Sequence, residues 1–288
     1  MQLLKVRDFS EFFSDTFGFI KENAAHFFIN FFTINSLFIL GYGLYNYFVS
    51  KLATNVMTDF NPVYIVLFFF VFIILAIVYW TFTPIYMILY QQKGTQFNAG
   101  DILSFMSQNI GKILIFIFLS FIMGIVLLIP LSLVSVLLVI TLVGILALPI
   151  VFAGFSLWFQ LAFMEYINSD KSYLDAFGYG FTLFTKKFWA TVGSNAILQM
   201  VIMVIYYLIA GSFGLFSAFS NIAVDPEASS AMIENFMASP VMIVLSVVLI
   251  VIMVVVNINA GIIYFSQKEF LEGIQAKSSI DDIGRNED

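Results

Sequence analysis

SYLDAFGYGFTLFTKKFW, residues 172–189, reads as an amphipathic helix that delivers the chain straight into a membrane span. Ser172 can accept from the free N–H groups of a first helical turn, and Asp175 adds a negative charge where the helix dipole is positive. Leu174, Phe177, Phe181, Phe184 and Phe188 recur at helical spacing, which makes one face apolar and leaves Gly180 on the polar one. Lys186 and Lys187 close the segment before a long uncharged run. The same order occurs at Asp8–Asn23 (Glu11 in the first turn; Phe9, Phe13, Phe17, Ile20; Lys21) and at Asn98–Ile113 (Asp101; Leu103, Met106, Ile110; Lys112). The pattern predicts an all-α polytopic membrane protein of six transmembrane helices, arranged as three repeats of an interfacial amphipathic helix plus two spans.

Outward from these helices, the uncharged apolar runs supply the spans, each needing about 20 residues to cross roughly 30 Å of hydrocarbon. They are predicted at Phe27–Val49, Val63–Tyr90, Ile113–Leu138, Ile145–Met164, Ala190–Phe213 and Val241–Phe265. Residues 113–164 hold no charge and are too long for one crossing, so the chain must turn there. Val139–Gly144 is the best place, with Pro130 and Pro149 as alternatives or kinks. The second span exceeds a perpendicular crossing and should tilt, project, or kink near Pro84. Asp225-Pro226-Glu227 reads as an N-cap with proline in the first turn of a short surface helix ending at Ala238. Residues 1–267 are expected to form one six-span domain, with repeat units at about 8–90, 98–164 and 172–265. Residues 268–288 are expected to be a charged, disordered tail.

Composition excludes several function classes. Hydrophobic residues make up 61% and charged ones 10%, against roughly 45–50% and about 25% in soluble domains. There is no cysteine for disulfides or thiolate metal sites, and a net charge of −6 with scattered basic residues argues against nucleic-acid partners. Eleven of the twelve basic residues fall on the side of the bundle that holds both termini, and Lys51 alone falls on the other. The lysine-rich side is therefore expected to be cytoplasmic.

A shift of 164 positions lays Glu11 on Asp175, Phe13 on Phe177, Phe17 on Phe181, Asn30 on Ser194 and Asn35 on Gln199, which supports an internal repeat. Gly144-Ile-Leu-Ala-Leu-Pro149, Glu165, Asp175-Ala-Phe177 and Lys187-Phe-Trp189 together resemble the signature of bacterial six-helix proteins related to the glycerophosphoryl diester phosphodiesterase membrane domain. Tyr264–Gly273, YFSQKEFLEG, is similar to the end of their last span. The resemblance implies a six-helix fold in a bacterial inner membrane and does not imply the phosphodiesterase activity.

Enzyme readings lack groups. His26 is the single histidine, so a several-histidine metal site cannot form within one chain, and no histidine or lysine base accompanies the span serines Ser120, Ser156 and Ser246. No catalytic residue, cofactor or metal is expected. Glu165, at the cytoplasmic end of the fourth span, is the one candidate for an in-membrane acid; as a helix-end carboxylate it could instead pair with Lys171, Lys186 or Lys187. Asn30, Asn35, Asn195, Gln199, Asn257 and Asn259 are uncharged amides at span depth that need partners. They serve either as packing glue or as the lining of a polar cavity. Two functions follow: a structural or membrane-organising module that docks a protein partner or lipid, and a carrier for an apolar or amphiphilic cargo.

Overall fold

The computed structural model describes residues 1–53, 62–222 and 239–274. These form eight helices and, among the described residues, no strand: α1 (Phe9–Ala53), α2 (Pro62–Lys93), α3 (Ala99–Gln108), α4 (Ile110–Val139), α5 (Leu142–Asn168), α6 (Tyr173–Thr185), α7 (Phe188–Ile222) and α8 (Pro240–Glu272). Six of them, all but α3 and α6, are long and apolar enough to cross a membrane. The chain is an all-α, multi-pass integral membrane protein.

The helix starts obey their capping chemistry. Asn98 accepts from the N–H groups of Gly100 and Asp101 while Asp101 accepts from the Asn98 N–H, a reciprocal box. Asp8 and Glu11 repeat that exchange at the start of α1, at 2.9 and 3.0 Å. Ser172 accepts from the Asp175 N–H. The charge-free stretch turns at Ile140 and Thr141, where the Thr141 hydroxyl accepts from the Gly144 N–H. A Cβ on residue 144 would overlap the Leu138 carbonyl, which is why glycine stands there. Pro84, Pro130 and Pro149 all lie inside helices.

Chain contacts divide the described residues into two compact units. The first draws on Met1–Asn30, Phe82–Gln199 and Val255–Asp288. It is built on buried aromatic residues: Phe27 against Tyr86 at 4.7 Å, Phe19 against Tyr90 at 4.9 Å and Phe116 against Phe163 at 5.2 Å. Such pairs contribute about 0.5–1.5 kcal/mol each beyond their burial. The second unit draws on Phe31–Thr81 and Met200–Val254. In it Phe38 stacks on Tyr79 at 4.6 Å, Tyr45 stacks on Phe72 at 5.1 Å, and the Tyr79 hydroxyl donates to the Ile250 carbonyl.

Three expectations are corrected. The first amphipathic segment is not a separate helix, because α1 runs unbroken from Phe9 to Ala53. Asn109 separates α3 from α4, and Lys186-Lys187 separates α6 from α7. In α1, by contrast, the helix continues through Asn23 without a break. The buried face of α6 also follows the apolar stripe only in part, taking in Gly180 of the expected polar face. Tyr173, Ala176, Phe177, Gly180, Leu183 and Phe184 are buried, whereas Leu174 and Phe181 are 67% and 47% exposed. Gly180 packs so closely on α5 that an added Cβ would stand 2.8 Å from the Ala162 Cα and N. In a membrane, close approach of backbones is what small residues permit, and apolar side chains can face lipid. Finally, Lys268–Glu272 belongs to α8, because Lys268 finds a buried partner; residues 275–288 of the expected tail, like the expected surface helix at 225–238 and most of the loop at 51–62, lie outside the described residues.

Candidate functional site

The polar centre of the first unit is built on Glu165, three residues before the end of α5 and 1% exposed. One carboxylate oxygen accepts from Lys171 Nζ at 2.7 Å; the other accepts from Lys268 Nζ at 2.9 Å and from the Tyr264 hydroxyl at 2.7 Å. The three donors come from the α5–α6 connection and the last turns of α8, so a single buried acid ties three segments together. Tyr264 and Lys268 are four residues apart and share a helix face, which lets both reach it. The Glu165 carboxylate thus faces two ammonium groups. Lys171 also sits over the Tyr179 ring, 3.4 Å from its centroid, and the Tyr179 hydroxyl donates to Glu272. Burial, with that carboxylate beside it, holds the Tyr179 phenol well above its ordinary value.

Of the basic partners the sequence offered Glu165, the structure selects Lys171. Lys186 is exposed, and Lys187 lies over the Phe270 ring at 4.4 Å while donating to the Arg7 carbonyl. Lys268 and Tyr264, 103 and 99 positions further along the chain, were missed. Arg7 was missed as well. Its guanidinium is buried, binds Asp15 at 2.7 Å and donates to the carbonyls of Gln2, Leu3 and Lys5, folding the N-terminal segment onto α1.

The amides are spread through the bundle. Asn195 Nδ2 donates to the Val256 carbonyl of α8 and Gln199 donates to Asn195 Oδ1, so these two act together. Asn259 donates to the Phe12 carbonyl at 3.4 Å and to the Thr16 hydroxyl at 3.0 Å, joining α8 to α1. Asn30 and Asn35 bond to carbonyls of their own helix, those of His26 and Phe31. Asn257 is half-buried. His26 is similarly engaged: its Nε2–H donates to the Phe97 carbonyl, which can only accept, and its Nδ1 accepts from the Tyr86 hydroxyl, both at 2.7 Å. Three buried amides keep unpartnered atoms: Asn35 Oδ1, Asn259 Oδ1 and both polar atoms of Gln267.

A concavity of the first unit is apolar. It encloses about 250 Å³ between Ile150, Val151, Gly154, Phe155 and Trp158 of α5, Phe181 and Phe184 of α6, and Phe188 of α7. The indole N–H of Trp158 is spent on the Phe177 carbonyl at 2.8 Å, so the lining presents no free donor there. None of the sequence-selected amides lines this pocket.

No protein-family model, no curated protein and no solved structure matches this chain.

Proposed function

We propose that this chain is a non-catalytic, structural and membrane-organising protein of a bacterial cytoplasmic membrane, with both termini cytoplasmic and α3 and α6 lying at the cytoplasmic surface. The observation that carries the reading is the use made of the polar groups in the spans. Asn195, Gln199 and Asn259 are engaged in bonds within and between helices, and Glu165 is neutralised by two lysines and a tyrosine. A carrier that held the polar part of an amphiphilic cargo with these amides needs them free and convergent on a cavity. Here they are dispersed and serve the bundle, while the pocket beside α6 is apolar. The shared caps and first-turn acids at Asp8, Asn98 and Ser172 support a common origin of the three segments, and the motifs from Gly144 to Trp189 support kinship with the six-helix membrane domains they resemble.

Gln199→Leu tests this. The substitution removes the bond to Asn195 on the same helix and with it the support of the Asn195 contact to the Val256 carbonyl of α8; an interhelical amide contact in a membrane is worth about 0.6–2 kcal/mol. Melting in detergent should fall by that equivalent while co-purifying lipid, read by mass spectrometry, is unchanged. Unaltered melting together with loss of a specific lipid or of solute flux would overturn the structural reading in favour of a carrier.

A further inference from the structure

The hairpin of α4 and α5 is longer than a bilayer is thick. Its cytoplasmic end is fixed by charge: Lys112, in the first turn of α4, donates to the Ser169 carbonyl just past α5, and Glu165, in the last turn of α5, holds Lys171 and Lys268. From there to the turn at Ile140 and Thr141 neither helix carries a charge. α4 exposes apolar side chains along that whole length, from Leu114 through Phe121, Ile129 and Leu137 to Ile140, which is 76% exposed. Leu114 and Ile140 are twenty-six residues apart, so the apolar strip is about 39 Å long.

Membrane hydrocarbon is about 30 Å thick on average and about 33 Å even in sterol-rich plasma membranes. At the mean tilt of about 20° the strip still rises about 37 Å, and fitting it into 30 Å takes about 40°, the extreme of what membrane helices show. Pro130 can bend only the ten residues beyond it, about 15 Å of the run. A second helix repeats the length. In α8 the residues from Val241 to Gln267, immediately before the Lys268 that binds Glu165, hold no charge and also rise about 39 Å. At the usual thickness the outer turns of α4 would hold Leu137 and Ile140 in water. Nothing in the sequence prepares them for it: between Lys112 and Trp158 there is no lysine, arginine, tryptophan or tyrosine to meet a headgroup layer part-way along.

We propose that this protein is matched to a hydrocarbon layer about 37–39 Å thick, and that it gathers around itself phospholipids whose acyl chains are longer than those of a bilayer of about 30 Å. The inference depends on the length of the α4–α5 hairpin and not on the use made of the span amides. It holds whether the protein organises the membrane or carries cargo through it.

The three tryptophans of the chain make the match measurable. The full-length protein would be reconstituted in vesicles that mix a brominated phosphatidylcholine of fixed chain length with phosphatidylcholines carrying monounsaturated chains of fourteen to twenty-four carbons. Recovery of tryptophan fluorescence then reports how strongly each lipid displaces the brominated one from the protein surface. Displacement should strengthen with chain length to a maximum at twenty-two or twenty-four carbons, rising about fivefold over the series, which is about 0.1 kcal/mol for each Å of mismatch. Ser132 is exposed, its hydroxyl donates to the Ile129 carbonyl of its own helix, and it stands twenty residues beyond Lys112, about 30 Å along α4. Ser132→Asp puts a charge too short to snorkel inside the thicker layer and should move the maximum to about eighteen carbons. Thr141→Asp, which keeps a capping acceptor at the outer turn, should leave the maximum where it was. A maximum at sixteen or eighteen carbons for the unsubstituted protein would overturn the proposal, as would a maximum that Ser132→Asp fails to move.

Discussion

Gly180→Ala adds a single methyl group at the closest helix–helix approach of α6, and its effect can be worked from the geometry. The new Cβ would stand 2.8 Å from the Cα and N of Ala162 and 2.9 Å from its Cβ, inside the normal separation of carbon atoms. Two of those three atoms are backbone, so relief requires α6 to move away from α5. Overpacking of this kind costs about 1–3 kcal/mol. Replacing a helical glycine by alanine returns about 0.5–1 kcal/mol of backbone entropy, leaving a net change between about 0 and a loss of 2.5 kcal/mol. Gly178, two residues earlier on the same helix, is the control, because it is exposed and a Cβ there meets nothing within 4 Å. Gly178→Ala should stabilise by about 0.5–1 kcal/mol. Melting or denaturant titration of both variants in one detergent gives the comparison. Ala162→Gly in the Gly180→Ala background removes the Cβ contact and leaves the two backbone contacts, so it should rescue only in part. Stabilisation by Gly180→Ala equal to that by Gly178→Ala would falsify the close packing of α6 on α5.

Two further outcomes follow. Glu165→Gln strands two lysines around a buried amide and should cost up to about 3–5 kcal/mol, towards the lower end because Lys171 is 35% exposed. Glu165→Leu with Lys268→Met, measured as a double-mutant cycle by thermal melting, should lose less than the sum of its parts, and strict additivity would refute the pairing. For topology, the cysteine-free chain permits single labels: Lys93→Cys, exposed in the last turn of α2, should react with an impermeant maleimide only after cells are opened, and Ile140→Cys, exposed in the α4–α5 turn, should react in intact cells. Labelling at position 93 from outside would reverse the orientation.

What the sequence made legible is what water and the backbone dictate. Caps and first-turn acids appear because free N–H groups need acceptors, and Asn98, Asp101 and Ser172 stand where that need predicts. The turn between α4 and α5 was legible because residues 113–164 must reverse, and Gly144 marked the place. The bond between Glu165 and Lys171 was within reach because the two are close in sequence. Lys268 was not, since nothing local says that a residue 103 positions away returns to the same point. The amides illustrate the same limit: that they require partners was readable, but whether the partner is the helix's own carbonyl, as for Asn35, or a hydroxyl on another helix, as for Asn259, is fixed by packing.

The misread face of α6 shows why hydrophobic patterning loses its meaning at this depth. In water, Leu174 and Phe181 would mark the buried side, because exposure costs about 25 cal/mol for each Å² of apolar surface. Against hydrocarbon that penalty vanishes, and lipid solvates leucine as well as another helix does. What then selects the buried face is how near two backbones can come, together with which polar groups must be satisfied internally. Ala176 and Gly180, four residues apart, give α6 a shallow strip that admits α5, and Tyr173 adds a hydroxyl within hydrogen-bonding distance of Ser120 at 3.2 Å. The phenylalanines left outside are then free to form the wall of the groove: Phe181 is both an exposed residue and a lining residue of the pocket that Trp158 closes. The small-residue strip that seats α6 on α5 thus also leaves an apolar groove beside the seam, lined by α5, by Phe181 and Phe184 of α6, and by Phe188 of α7.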